Sequence, residues 1–490
     1  MRYVLNHFYK LRHDQYRTLI HSSNTKSHVV EVDNNWMDFV HPIYAMILSF
    51  FSRPITVEMA VKEIASFLST KESIVHSLID KMIKNRGYFH IPYKGHDNNF
   101  PPNILIKEED LKSEIVDYRP EMFLYASIDL DTFRLFNAPL DVTFMVNNKC
   151  LTNCIYCYAN KKHICKSLDF YKVEKIIDEA ERLEVRNFSV DGGEFFIYPY
   201  WKELLQVLKS HKFVPYIVST KYPISEDDVE YFSKFNVPLQ ISLDSYNPLI
   251  LDKMLGRIPS YAERMAKTLQ CIDKYCSFQI ATILTSYNGT IDNMEDMLSH
   301  IRRYKNIKKW NIRVAFKSLY VSNDFTQIQL RREVIPVIQE WVSKKQQEVP
   351  FELTFTPGRE VNFFQTKDGS QNFKGNRCSA NSTHMFILPD GKVTICEQLY
   401  WNERFIIGDL TEQSISEVWK SSKALRLANL QAIDYSKESA CKSCLMLSSC
   451  NSALNKCFAN VLKVYGEEHW DFPDPRCYYA PRNISDTIYV

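Results

Sequence analysis

Ten of the 13 cysteines fall into two ordered groups, and the first reads Cys150-Leu-Thr-Asn-Cys154-Ile-Tyr-Cys157. Three thiolates spaced CxxxCxxC can hold three irons of a 4Fe–4S cube and leave the fourth iron without a protein ligand. An iron with an open position can bind a small chelating molecule and pass it an electron. A zinc site is the competing reading, but it needs a fourth ligand close by and usually shows paired CxxC units. The second group runs Cys378-x12-Gly391-x4-Cys396, then Cys441-x2-Cys444-x5-Cys450-x6-Cys457, and ends at Cys477. Six or seven thiolates so irregularly spaced fit poorly into one zinc ribbon, and two zinc ions are the alternative. Cys165, Cys271 and Cys276 belong to neither pattern and read as buried or incidental thiols.

These residues need a scaffold. From Pro139 to about residue 345 strand and helix alternate regularly. The expected strands are Leu140–Val146, Arg186–Asp191, Val214–Ser219, Val237–Leu243, Phe278–Leu284 and Trp310–Phe316. A helical pattern follows each: Asp169–Leu183, Tyr200–His211, Ser225–Phe235, Ser260–Lys274, Ile291–Tyr304 and Gln327–Lys345. Six βα units imply a parallel sheet with right-handed crossovers, short of the eight that close a barrel. The expected fold is therefore α/β, a partial (β/α)6 TIM barrel, with its active site in the loops after the strands. Cys150, Cys154 and Cys157 follow the first strand and Asp191-Gly192-Gly193-Glu194 the second; Ser219-Thr220 follows the third and Ser242-Leu243-Asp244 ends the fourth.

At 490 residues the chain can form several domains, and a net charge of +2 leaves no electrostatic footprint for nucleic acid or anionic membrane. The longest uncharged apolar stretch, Pro42 to Ser52, is too short to span a bilayer. Many cysteines without a secretory signal point to a reducing, cytoplasmic setting and metal ligation. Residues 1–100 read as a small α+β unit, with β-like runs Tyr3–Phe8 and Val29–Val32 and helices over His41–Phe51, Thr56–Leu68 and Lys71–Asn85, the last ended by Gly87. Residues 101–138 form a connector, 139–345 the partial barrel, 346–377 a linker and 378–490 the cysteine-rich C-terminal domain.

The cysteine loop, with Tyr156 before its last cysteine, and the Gly192-Gly193-Glu194 segment resemble the radical S-adenosylmethionine (SAM) superfamily. The resemblance implies that the open iron chelates the methionine moiety of SAM. One-electron reduction then gives a 5′-deoxyadenosyl radical that abstracts hydrogen from a substrate. It also implies SAM contacts: Gly192 and Gly193 admit the methionine amine, with Glu194 as acceptor. Ser242 is implied as a partner of the carboxylate or ribose and Arg257 of the carboxylate, Tyr156 lies against adenine, and Ser219 is a further contact.

The second cysteine group, with Ile387–Cys396 reading as a hairpin, Gly408-Asp409-Leu410 and Ile415–Trp419, resembles the SPASM domain. That resemblance implies two auxiliary 4Fe–4S clusters, the nearer on Cys378, Cys396 and Cys457 and the farther on Cys441, Cys444, Cys450 and Cys477. The Cys450–Cys457 interval is longer than usual there, and Asn372–Arg377 offers no extra cysteine as a fourth ligand for the nearer cluster. Glu397 stands where sulfatase-maturing relatives carry an acidic proton acceptor, so it is the candidate base.

The first hundred residues resemble the PqqD-like winged-helix domain (RRE) fused to enzymes that mature ribosomally made peptides (RiPPs). Such a domain holds a leader peptide by strand addition at a sheet edge. The expected function is a radical SAM peptide maturase that installs an oxidative cross-link, a thioether or a C–C, C–O or C–N bond. Its expected partners are a precursor peptide and a reductant such as flavodoxin or ferredoxin. The competing readings are a formylglycine-forming sulfatase maturase, a peptide epimerase, and a non-catalytic iron–sulfur electron carrier that binds peptide.

Overall fold

The structure, a computed structural model, describes residues 1–23, 32–112, 114–321, 324–358, 363–365, 371–373, 378–453 and 456–481. The chain divides into two compact units, Met1–Asn137 and Ala138–Val490.

In the first unit, strands Tyr9–Asp14, Arg17–Ser22 and Met37–Val40 form an antiparallel meander, and Arg2–Leu5 pairs with Ile55–Thr56 and Leu105–Lys107. Helices Pro42–Ser49, Val57–Phe67 and Glu72–Lys84 precede a hairpin of Phe89–Tyr93 and His96–Phe100. Helical spacing explains what these helices bury: Ala60, Val61, Ile64 and Ala65 from one, Val75, Ile79 and Met82 from the next. Three helices thus lie where the apolar periodicity puts them. The last one ends differently. Gly87 does not adopt a left-handed conformation; Asn85 closes the helix, its Oδ1 accepting from the Gly87 N–H at 2.9 Å. Of the expected strand Val29–Val32 only Val32 lies within the described residues.

The connector is bound into this unit. Arg17 and Asp14 form a fully buried ion pair at 2.9 Å. The guanidinium also donates to the carbonyls of Thr132 and Arg134 and lies 3.5 Å from the Phe39 ring centroid. Asp14 accepts from the backbone N–H groups of Phe136 and Asn137. Each polar group of the pair is thereby satisfied, which burial of charge requires.

The second unit is built on parallel strands. Asp141–Met145 pairs with Asn187–Asp191. A second sheet runs Val218–Thr220, Leu239–Ser242, Phe278–Leu284, Ile307–Val314 and Glu352–Thr356, every neighbour parallel. The sheets do not close, as a partial barrel requires. The first helix shows why these elements form: Asp169 caps Phe170–Arg182 by accepting from Tyr171 N–H at 3.0 Å, and Val173, Ile176, Ile177 and Ala180 make its buried stripe.

Two strands differ from expectation. The third begins at Val218 rather than Val214, because Pro215 lacks an N–H for the ladder and Val214 and Tyr216 are exposed. A seventh strand, Glu352–Thr356, extends the sheet beyond the sixth within a stretch read as linker.

Downstream, His384–Ile387 and Lys392–Thr394 form the expected hairpin, followed by Ile406–Asp409. His384–Ile387 also pairs in parallel with the first barrel strand, so the barrel sheet continues into the cysteine-rich region. His384 Nε2 lies 2.8 Å from Thr143 Oγ1 across that seam. Among the described residues no helix is long and apolar enough to cross a membrane.

Candidate active site

The cysteine loop leaves the first barrel strand and is pinned at both sides. The Asn153 and Ile155 N–H groups donate to the Leu255 and Met254 carbonyls at 2.7 and 2.9 Å, the end of helix Pro248–Leu255. Thr152 Oγ1 lies 3.2 Å from both Cys150 Sγ and Cys154 Sγ. On the other side, the Gly193 N–H donates to Asn147 O at 2.8 Å.

A Cβ at Gly193 would collide with the Lys149 carbonyl, coming within 2.7 Å of its carbon and 2.8 Å of the Asn148 carbonyl carbon. The close approach at Gly193 is therefore to the cysteine loop itself. Backbone on both sides leaves no flexible atom to yield. Gly193→Ala is expected to displace the loop and strip iron from it while the C-terminal iron stays, read by iron content per chain after anaerobic reconstitution.

Behind Cys154 sits a buried polar network. Lys221 Nζ donates to Asp244 Oδ2 at 2.7 Å, and the Tyr156 hydroxyl donates to the same oxygen. Asp244 Oδ1 accepts from Ile283 N–H at 2.9 Å. Burial opposes the charge on Lys221, but Asp244 with Cys154 and Cys150 outweighs it and holds the ammonium above the ordinary lysine value. The sequence placed Tyr156 against adenine; here its hydroxyl is committed to Asp244.

Glu194 is engaged in the same way. Its carboxylate accepts from Thr220 Oγ1 at 2.7 Å, Lys221 N–H at 3.1 Å and Phe196 N–H at 3.3 Å, which ties the third-strand loop to the second. Burial raises its pKa and these three bonds pull against it. Ser219 and Ser242 come together, their hydroxyls 3.3 Å apart, with Gln240 donating to Ser219 at 2.9 Å. Gly192 sits against Asn147 and Val146. Arg257 is exposed and directly follows Gly256, which is at φ +78° and close to Asn153 of the cysteine loop.

Between the two cysteine groups lies a chamber of aromatic and acidic side chains. Tyr158 packs against Phe316 and Tyr400 with ring centroids 5.8 and 6.4 Å apart. Glu397 first, then burial, Asp191, Cys157 and Cys396 raise its hydroxyl pKa, so this one ring senses both cysteine groups. Glu397 is open to water yet has protein packed densely around it. Burial and then Asp191 push its carboxyl up to about 7, against the pull of Arg313. Lys463 closes one wall, its ammonium 4.4 Å from the Phe316 ring centroid and 2.7 Å from Gln398 Oε1.

The C-terminal cysteines sort into two neighbourhoods. Cys396 faces Cys457 and Cys378; Cys450 faces Cys441, Cys477 and Cys444. A small cavity lies among Cys378, Cys396, Cys450, Cys457 and Lys456. Burial pushes the thiols of Cys154, Cys157, Cys396, Cys441 and Cys450 up. The protein alone would not ionise them; bound iron cations supply the missing charge, so the donor set fits clusters. Among the described residues no three His, Cys, Asp or Glu side chains gather as around one metal ion. Thiolates on separate irons of a cube stand farther apart than ligands sharing one ion. Cys165 and Cys276 lie apart from both groups, their thiols raised by burial to about 11.

Lys221, Tyr158, Tyr400 and Tyr261 were not singled out from the sequence, although Lys221 follows Ser219-Thr220 and Tyr158 follows Cys157. Tyr261 donates to the Lys221 carbonyl at 2.8 Å and completes the network behind the loop.

Comparison with known proteins agrees with this geometry. Residues 145–304 match the radical SAM superfamily and residues 378–445 the SPASM iron–sulfur cluster-binding domain. The chain is 24% identical over 358 residues to the mycofactocin maturase MftC of Mycobacterium ulcerans, covering 70% of this chain and 90% of that one. It is 25% identical over 173 residues to the antilisterial bacteriocin subtilosin biosynthesis protein AlbA of Bacillus subtilis, 34% of this chain and 38% of that one. The fold is that of Streptococcus suis SuiB, solved bound to its precursor peptide SuiA, at a TM-score of 0.64 and 15% identity over 98% of this chain and 100% of that one. The radical SAM domain binds SAM and a 4Fe–4S cluster, and the SPASM domain binds auxiliary iron–sulfur clusters. Residues 145–304 of this chain are therefore a radical SAM domain, followed by a SPASM domain over residues 378–445.

Proposed function

We propose that this protein is a radical SAM peptide maturase that closes an oxidative cross-link in a ribosomally made precursor. The observation that carries the reading is the chamber in which Tyr158 and Glu397 stand between Cys157 and Cys396. A substrate carbon held there would be within reach of radical chemistry on one side and an electron acceptor on the other. The relatives support a peptide as that substrate: MftC is a maturase, AlbA serves bacteriocin biosynthesis, and SuiB binds a precursor peptide.

In this reading Cys150, Cys154 and Cys157 hold the barrel cluster, Cys378, Cys396 and Cys457 the nearer auxiliary cluster, and Cys441, Cys444, Cys450 and Cys477 the farther one. When bound, these groups and SAM supply a 5′-deoxyadenosyl radical that takes a hydrogen atom and an acceptor for one electron. Glu397 takes the remaining proton, so the peptide loses two hydrogens in all. Gly192, Ser219, Ser242 and Arg257 line the SAM side of the barrel mouth. Tyr156, Asp244 and Lys221 fix the wall behind Cys154, and Glu194 braces the adjoining loop. The N-terminal unit holds the leader as an added strand at the edge of its meander, and a flavodoxin or ferredoxin supplies electrons in the cytoplasm.

The test is anaerobic reconstitution with SAM and dithionite, followed by coexpression with a short peptide encoded beside this gene. Formation of 5′-deoxyadenosine and a peptide lighter by two hydrogens is the expected result. Unchanged mass with altered chirality would make it an epimerase, and iron-loaded protein that leaves SAM intact would overturn the enzymatic reading.

A further inference from the structure

We propose that Lys456 is a positioning residue that sets the redox potential of the farther auxiliary cluster and makes it the electron sink of the pair. The inference rests on the cysteine ligand sets proposed above. Lys456 immediately precedes Cys457 of the nearer set, yet its ammonium lies among Cys441 and Cys450 of the farther set. It also lines the cavity that Cys378, Cys396, Cys450 and Cys457 share.

The ammonium is buried and has no hydrogen-bond partner among the described residues. Three rings cage it: the Tyr435 and Phe458 centroids are 5.0 Å from Nζ and the Trp470 centroid 5.8 Å. Cation–π attraction fixes where the charge sits but leaves its three N–H donors unmet. A buried ammonium in that condition is costly unless an acceptor completes the site.

The nearby carboxylates of Asp471 and Asp474 have other hydrogen-bond partners, and neither accepts from Lys456. Asp471 accepts from Ser436 N–H at 2.6 Å. Asp474 accepts from Cys457 N–H at 2.9 Å and from the Arg476 guanidinium at 2.8 and 2.9 Å. With no oxygen acceptor in reach of Nζ, sulfurs of a cluster and its thiolates would complete the site.

An asymmetry follows. The cation beside the nearer set is Arg476, which faces Cys457 and Cys378 but is paired with Asp474 at 2.8 Å. Lys456, beside the farther set, has no such ion pair among the described residues. Reduction adds negative charge to a cluster, and an unpaired cation at low dielectric favours the reduced form. The farther cluster is therefore the easier to reduce, and an electron released in the chamber passes through the nearer cluster to the farther one and stays on it.

The experiment is an anaerobic redox titration of the full chain followed by EPR. In Lys456→Met one auxiliary midpoint should move to a more negative potential, and Lys456→Arg should restore it. Wild-type protein grown with Nζ-labelled ¹⁵N-lysine should also show a nitrogen coupling to a reduced auxiliary cluster by pulsed EPR. Two auxiliary clusters with unmoved midpoints overturn the role of the lysine alone. Should Lys456→Met fail to hold iron, the absence of the wild-type nitrogen coupling overturns it instead. Wild-type iron content too low for two auxiliary clusters overturns the ligand assignment, and the inference with it.

Discussion

Replacing Cys150, Cys154 and Cys157 together by alanine is expected to bring 5′-deoxyadenosine formation down to background while the C-terminal iron remains. The three thiolates are the cysteines of the CxxxCxxC segment; Cys165, farther along the same connection, packs instead against the core of Met145, Phe386 and Trp401. Iron per chain should fall by one cube, about four ions. The rest of the unit should stay folded, because the hairpin at His384–Ile387 is held by its pairing with Asp141–Met145 and by a core of Met145, Phe386, Leu388, Tyr400 and Trp401. None of those contacts uses the three thiols. Iron assay, visible absorption and chromatography of the SAM products check each part. Loss of all iron would show that the cysteine groups load as one unit, and residual SAM cleavage would move the reductive site elsewhere.

Much of this arrangement was legible in the sequence because it is written in periodic or chemically costly patterns. Helices such as Phe170–Arg182 carry both a cap and an apolar stripe, so their place follows from local physics. The cysteines announce themselves because ten thiols in ordered spacing serve no packing purpose. What stayed hidden depends on tertiary neighbours. The short third strand is shaped by Pro215, and the seventh, Glu-Leu-Thr-Phe-Thr, is too short and polar to stand out from a linker. Lys221 looks like an ordinary surface lysine until Asp244 and Cys154 surround it. That the cysteine loop presses against Gly193 is likewise a tertiary contact that the Gly-Gly-Glu segment does not reveal. The seam between His384–Ile387 and the first strand joins segments some 240 residues apart (241 for the His384–Thr143 contact), which no local pattern encodes.

Glu397→Gln should separate radical generation from product formation. The substitution keeps the size of the side chain, so the chamber formed with Tyr158, Tyr400 and Asp191 should persist, but an amide cannot take up a proton. SAM cleavage depends on the cysteine loop, which Glu397 does not touch by any hydrogen bond among the described residues. We therefore expect 5′-deoxyadenosine to form at close to the wild-type rate, while cross-linked peptide falls by roughly 10²–10⁴-fold, the usual span for removing a general base. Without a proton acceptor the substrate radical persists and is quenched by one electron from dithionite and a proton from water, so cleavage of SAM becomes uncoupled from peptide modification. Tyr158→Phe is the companion variant: it keeps the ring that packs on Phe316 and Tyr400 but removes the hydroxyl beside Glu397. If Glu397 is the base, the tyrosine variant should retain most of the product yield. Equal product from Glu397→Gln and wild type would remove Glu397 from the chemistry, and a matching collapse in Tyr158→Phe alone would transfer the proton-accepting role to the phenol.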